Sequence, residues 1–189
     1  VSGFAITASA PGYLSLKLNH IEYPVRILHT PYANELRLKT YLGEDKDAGI
    51  NEALGKMWQT LADTYCDENG VNLLTAHLYM NKRGNALLDE PDGEKPIKVG
   101  NAELIYTDII PKQIQYTALG HIHGFKNIGT DAKPVIYSSA PIAYSFSEAG
   151  QTKYVQIITA APNQAVAIEN VPLTAGKFLA RVTFDNIVD

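Results

Sequence analysis

The chain has 189 residues, 46% of them hydrophobic, enough for one domain with a buried core. Its 16 Lys and Arg against 20 Asp and Glu give a formal net charge of −4, which speaks against a free basic nucleic-acid-binding module. A protein that meets phosphates through bound metal ions stays open, because the charge of an ion is invisible to a residue count.

The expected elements follow in chain order. "GYLSLKLNHIEYPVRILHTPY" reads as two strands. In the first, Leu14, Leu16 and Leu18 alternate with Ser15 and Lys17, the period of a half-buried strand. The second, "PVRILHTPY", is bounded by Pro24 and Pro31. "AGINEALGKMWQTLADTYCDENG" is the clearest helix, with Ile50, Leu54, Met57, Trp58, Leu61 and Tyr65 at helical spacing and a stop at Asn69-Gly70. Trp58 reads as core. "VNLLTAHLYM" is a short apolar run that predicts an interior strand covered on both faces. Residues 81–98 read as a long polar loop, with Glu90, Asp92 and Glu94 facing solvent. "IQYTALGHIHG" is a further apolar strand ending in histidines. "KPVIYSSAPIAYSFSEAGQTKYVQIITAAP" predicts a strand, an irregular Ser/Pro/Tyr segment and a second strand. "AVAIENVPL" and "FLARVTF" close the chain as late strands. The class is α/β, one domain over 1–189, with a mixed sheet or two packed sheets.

The single cysteine, Cys66, allows no intrachain disulfide and has no histidine tied to it as a nucleophile's base. No apolar run approaches the ~18 residues of a membrane span. The expectation is a cytoplasmic protein that engages no membrane.

Chemistry concentrates in "TALGHIHG". Residues i and i+2 on a strand share a face, and at a strand's carboxyl end His121 and His123 can converge on one small volume. Gly120 and Gly124 remove bulk beside them. Neutral imidazole suits Zn, Mn and Fe, and ligands of open α/β sheets gather beyond the strands' carboxyl ends. His77 closes "NLLTAH" as His121 closes "YTALGH", so neighbouring strands would bring three imidazoles together. Spacing alone leaves a metal site and satisfied structural histidines as equal readings. His20 and His29 carry no such pattern and read as structural or surface residues. A cupin-type site needs a Glu shortly after H-x-H, and the next Glu here is Glu148. Lys82 and Arg83, after His77, are candidates for DNA phosphate contacts, against the plainer reading of a solvated loop. Ser138, Ser139 and Tyr144 offer hydroxyls to a substrate or to the histidines, with packing as the alternative.

"GHIHG", "NLLTAHLYM", "VGNAELIYTDIIPKQIQYTALGHIH" and "VIYSSAPIAYSFSEAGQTKYVQII" resemble the second half of the bacterial SbcD exonuclease subunits, calcineurin-like metallophosphoesterases. "SAPGYLSLKLNHIEYPVRILHTPYANELRLKTYLG" is also similar, so the resemblance covers nearly the whole chain. It implies two packed mixed sheets flanked by helices, here the C-terminal half of the nuclease domain. It also implies a two-metal site, typically Mn²⁺, with His77 and His121 on one ion and His123 on the other. The implied activity is metal-dependent phosphodiester hydrolysis in DNA repair and recombination. The implied partners are DNA, an SbcC-like ATPase and a second SbcD copy.

The sequence departs from the family in one respect. D-x-H, G-D and G-N-H-D, the source of the bridging carboxylate and the catalytic His, are absent, and so is the C-terminal capping region. The chain opens on Val1 rather than Met, and the expectation is a part of a longer nuclease, inactive alone and holding one ion weakly or none. A phosphoesterase acting on small phosphate esters and a non-catalytic scaffold fragment are the alternatives.

Overall fold

Alternating and continuous apolar runs become eleven strands and one long helix in the computed structural model, which describes residues 3–31, 49–89, 104–176, 179–180 and 182. β1 (Phe4–Ala10) and β2 (Tyr13–Leu18) form a hairpin that turns through Pro11 and Gly12, the glycine at φ +77°. β3 (Val25–Thr30) leads to α1 (Ile50–Tyr65) and β4 (Val71–His77). The short β5 (Met80–Asn81) and β6 (Ile105–Tyr106) pair with each other. Then come β7 (Tyr116–Gly120), β8 (Lys126–Asn127) and β9 (Val135–Tyr137), and finally the hairpin β10 (Tyr154–Thr159) and β11 (Ala167–Pro172).

Seven strands form one mixed sheet in the order β1-β2-β3-β4-β7-β9-β8. The outer pairs are antiparallel, and β3, β4, β7 and β9 run parallel. The parallel block places the carboxyl ends of four strands along one edge, where α/β proteins assemble their sites.

One face of the sheet packs on α1. Leu54, Trp58 and Ala62 on the helix and Leu28 and Leu74 on the sheet are wholly buried, and each large apolar side chain contributes about 1.5–3 kcal/mol. The Trp58 indole N–H donates to Thr30 Oγ1 at 2.9 Å, so its one polar atom is satisfied inside the core. Tyr13 stacks on Tyr65 with centroids 4.0 Å apart. Arg26 on β3 clamps the chain beyond α1, donating to both Asp67 carboxylate oxygens at 2.6 and 3.0 Å. The β10–β11 hairpin packs Ile158 and Ile168 on the opposite face, against Leu73, Tyr116 and Ile136.

Several expectations change here. On β2 the residues turned to α1 are Tyr13 and Ser15, both buried, while Leu14, Leu16 and Leu18 lie half-buried on the other face. β4 is not covered on both faces: Asn72, Leu74 and Ala76 are buried, whereas Thr75 on the second face is exposed. β1 gave no strand signal. Six of its seven residues are exposed, so no burial alternation marks an edge strand that carries a bulge between Ile6 and Ala8. Residues 82–89 are irregular, as a polar loop requires. Glu90, Asp92 and Glu94 and most of "FLARVTF" lie outside the described residues. Among the described residues no helix is long and apolar enough to cross a membrane.

Candidate metal centre

The histidines meet because β4 and β7 are parallel neighbours in a register that pairs His77 with Gly120. His77 is therefore one residue away from His121 across the ladder. Gly120 leaves room for it: a Cβ at position 120 would stand 2.9 Å from His77 Nδ1. Tyr137 on β9 fixes the chain just beyond His77. Its hydroxyl donates to the Leu78 carbonyl at 2.8 Å and accepts the Met80 N–H at 2.7 Å.

β7 ends at Gly120, so the two histidines of H-x-H stand beyond the strand rather than on one face of it. His121 adopts φ +105°, a conformation that a non-glycine residue rarely takes. The turn buries its ring to 2% exposure, edge-on to His77 at 5.7 Å and to Tyr79 at 6.1 Å between centroids. Ser139 (φ +86°) is a second residue of this kind in the same place. Strained backbone of this sort, costing about 1–3 kcal/mol per residue, gathers at functional sites.

His123 is held separately. Its Nδ1 lies 3.0 Å from Glu148 Oε1, and Glu148 Oε2 accepts from Lys153 Nζ at 2.5 Å. Both partners are buried. Burial alone would raise the Glu148 carboxyl, but the hydrogen bonds from Lys153 and His123 outweigh it and hold the group below the ordinary carboxylate value. Neither Glu148 nor Lys153 was picked out from the sequence. They lie 25 and 30 residues beyond His123, so no local spacing ties them to it. The available signal was an acid and a base five residues apart inside "SFSEAGQTKYV", a segment closing on an apolar strand.

His77, His121 and His123 line one cleft of about 600 Å³, together with Ser138, Ser139 and Tyr144. Ser139 Oγ accepts the Tyr154 N–H at 2.9 Å, tying the segment after β9 to the start of β10. Tyr144 is exposed, its ring 5.3 Å from that of His123. Lys82 and Arg83 do not line this cleft. Arg83 pairs with Asp108 at 2.5 Å and lies over the Tyr106 ring, and Lys82 borders a different cleft beside Thr107 and Lys133. His20 is exposed, and His29 is half-buried on β3.

Imidazoles at a cleft suit a borderline divalent ion in kind. Among the described residues no carboxylate lines the cleft, so its donors are neutral and would leave an ion's charge uncompensated. Among the described residues, too, no group of three or more His, Cys, Asp or Glu side chains is gathered closely enough to hold an ion. The donor set thus fits one loosely held ion, and the described residues offer a second ion no ligand set.

Fold and site together define a mixed α/β domain with a histidine-lined cleft at the carboxyl ends of adjacent parallel strands. Over 186 residues the chain is 31% identical to SbcD, the nuclease component of SbcCD, from Bacillus subtilis (strain 168), covering 90% of this chain and 44% of that protein. The likeness to SbcD thus holds over nearly the whole chain, and the chain spans less than half of this relative. No protein-family model matches the chain.

Proposed function

We propose that the chain carries the histidine part of the metal centre of an SbcD-like DNA nuclease. The observation that carries this reading is the alignment of β4 and β7, which brings His77 beside His121 within a segment similar to SbcD. His77 and His121 would share one ion, and His123 would face a second whose remaining ligands come from elsewhere. When bound, such ions activate water, orient the scissile phosphate and offset its developing charge. The chain's own residues supply the rest. The β4–β7 register sets the spacing of two imidazoles, Tyr137 fixes the loop behind His77, and Tyr144 leaves an aromatic surface at the mouth. The partners that follow from this reading are DNA, an SbcC-like ATPase and a second SbcD copy.

The same cleft supports a narrower reading of the chain on its own, as a non-catalytic fragment, because no carboxylate among the described residues lines it. Both readings meet in one experiment. The purified 189-residue chain with Mn²⁺ should leave linear duplex DNA intact. A polypeptide joining it to a segment with D-x-H, G-D and G-N-H-D motifs should cut that DNA, and His77→Ala or His121→Ala should abolish cutting. Cutting by the 189-residue chain sinks the second reading, and full activity in either joined variant sinks the first.

A further inference from the structure

Glu148 does not line the histidine cleft, yet it constrains one of the cleft's three imidazoles. It is 3% exposed, and its two oxygens are committed in different directions, Oε1 to His123 Nδ1 at 3.0 Å and Oε2 to Lys153 Nζ at 2.5 Å. Oε1 also accepts a long bond from the Tyr144 N–H at 3.4 Å. Lys153, 6% exposed, donates further to the His123 carbonyl at 2.9 Å and to Gln151 Oε1 at 3.0 Å. The His123 carbonyl accepts the Ala140 N–H as well, at 3.0 Å. One buried ion pair therefore holds His123 by ring and by backbone.

The chemistry of the pair decides what the ring does. An ionised carboxylate only accepts hydrogen bonds, so the bond to Glu148 requires the His123 proton on Nδ1. A neutral imidazole protonated at Nδ1 carries its lone pair on Nε2, across the ring. Burying an acid and a base costs more than packing two apolar side chains of like size. An apolar pair would fill this space and leave the ring free to choose either tautomer and to rotate.

We infer that Glu148, braced by Lys153, is a positioning residue. It fixes His123 as the Nδ1–H tautomer and presents the Nε2 lone pair to the cleft as a ligand. The last step rests on the metal-centre reading above. Carboxylates behind ligating histidines typically carry about 10–100-fold in metal affinity.

The test has two independent readouts. Two-bond ¹H–¹⁵N spectra of the metal-free chain at about pH 8, where imidazole is neutral, should show His123 protonated at Nδ1, assigned by its loss in His123→Gln. A His123 ring mainly protonated at Nε2 overturns the inference. Titration with Zn²⁺ should then show Glu148→Gln binding about 10–100-fold more weakly than wild type, with an unchanged circular dichroism spectrum. Unchanged affinity in a folded Glu148→Gln protein also overturns it. If that variant unfolds, the wild-type tautomer alone decides. A wild-type chain that binds no Zn²⁺ overturns the metal-centre reading instead.

Discussion

At the scale of single residues, Gly120 shows how little separates a site from a clash. A methyl group there would stand 2.9 Å from His77 Nδ1, inside van der Waals contact. The His77 ring can swing away, so Gly120→Ala should cost only about 1 kcal/mol of stability. Swinging away moves the ring out of register with His121, and Zn²⁺ affinity should fall at least tenfold. A calorimetric titration that finds wild-type affinity would show that the ring position is irrelevant to binding. Cys66 is the contrasting case of a reactive group made inert. Burial pushes its thiol from an ordinary 9.0 to about 11, against the pull of Arg26. Below pH 9 both folded and unfolded chains keep the proton, and the site is neutral in its effect on stability. Between about 9 and 11 the unfolded chain loses it first, so stability should drop with rising pH over this window. Urea midpoints at both ends of the window, compared with Cys66→Ala, check the sign: the variant should lose less. A native thiol that reacts with Ellman's reagent at neutral pH as fast as a free one would contradict the burial argument.

At the scale of elements, α1 and the parallel strands behave as their periodicities dictate, and the departures have local causes. Trp58 is legible as core from its spacing with Leu54 and Leu61, and it is wholly buried. Its bond to Thr30 is not legible, because it joins positions 28 residues apart. Trp58→Phe keeps most of the apolar contact but strands the buried Thr30 hydroxyl. It should destabilise the fold by about 1–3 kcal/mol in urea unfolding, and Trp58→Phe/Thr30→Val should recover part of that loss. No recovery would mean that ring volume, not the hydrogen bond, sets the cost. The same contrast runs through the site. The residue types and spacings of His77, His121 and His123 were readable because each follows an apolar run. What brings them together was not. The β4–β7 register, the positive φ at His121 and the Glu148–Lys153 brace all depend on partners remote in sequence. Edge strand β1 escaped for the opposite reason, having no buried face to print a pattern on its residues.

At the scale of the whole molecule, the cleft is a ligand set without counter-charge. The parallel block delivers imidazoles to one sheet edge, and no acidic side chain among the described residues lines it. A neutral set binds a divalent ion through donor strength alone, so affinity should be modest and stoichiometry should be one ion per chain, even if the intact centre holds two. Binding to the folded chain only must raise its stability, because the strand register that aligns His77 with His121 is lost on unfolding. With Zn²⁺ at about ten times its dissociation constant the gain is about 1.4 kcal/mol. For a domain of this size that corresponds to about 3–6 °C in melting temperature. Differential scanning calorimetry should show this rise, its reversal by EDTA, and its loss in His77→Ala/His121→Ala. A rise that survives the double substitution would move the ion to another part of the surface. A rise that keeps growing through a second, tighter binding phase would mean that the chain carries acidic ligands which the described residues do not bring to the cleft.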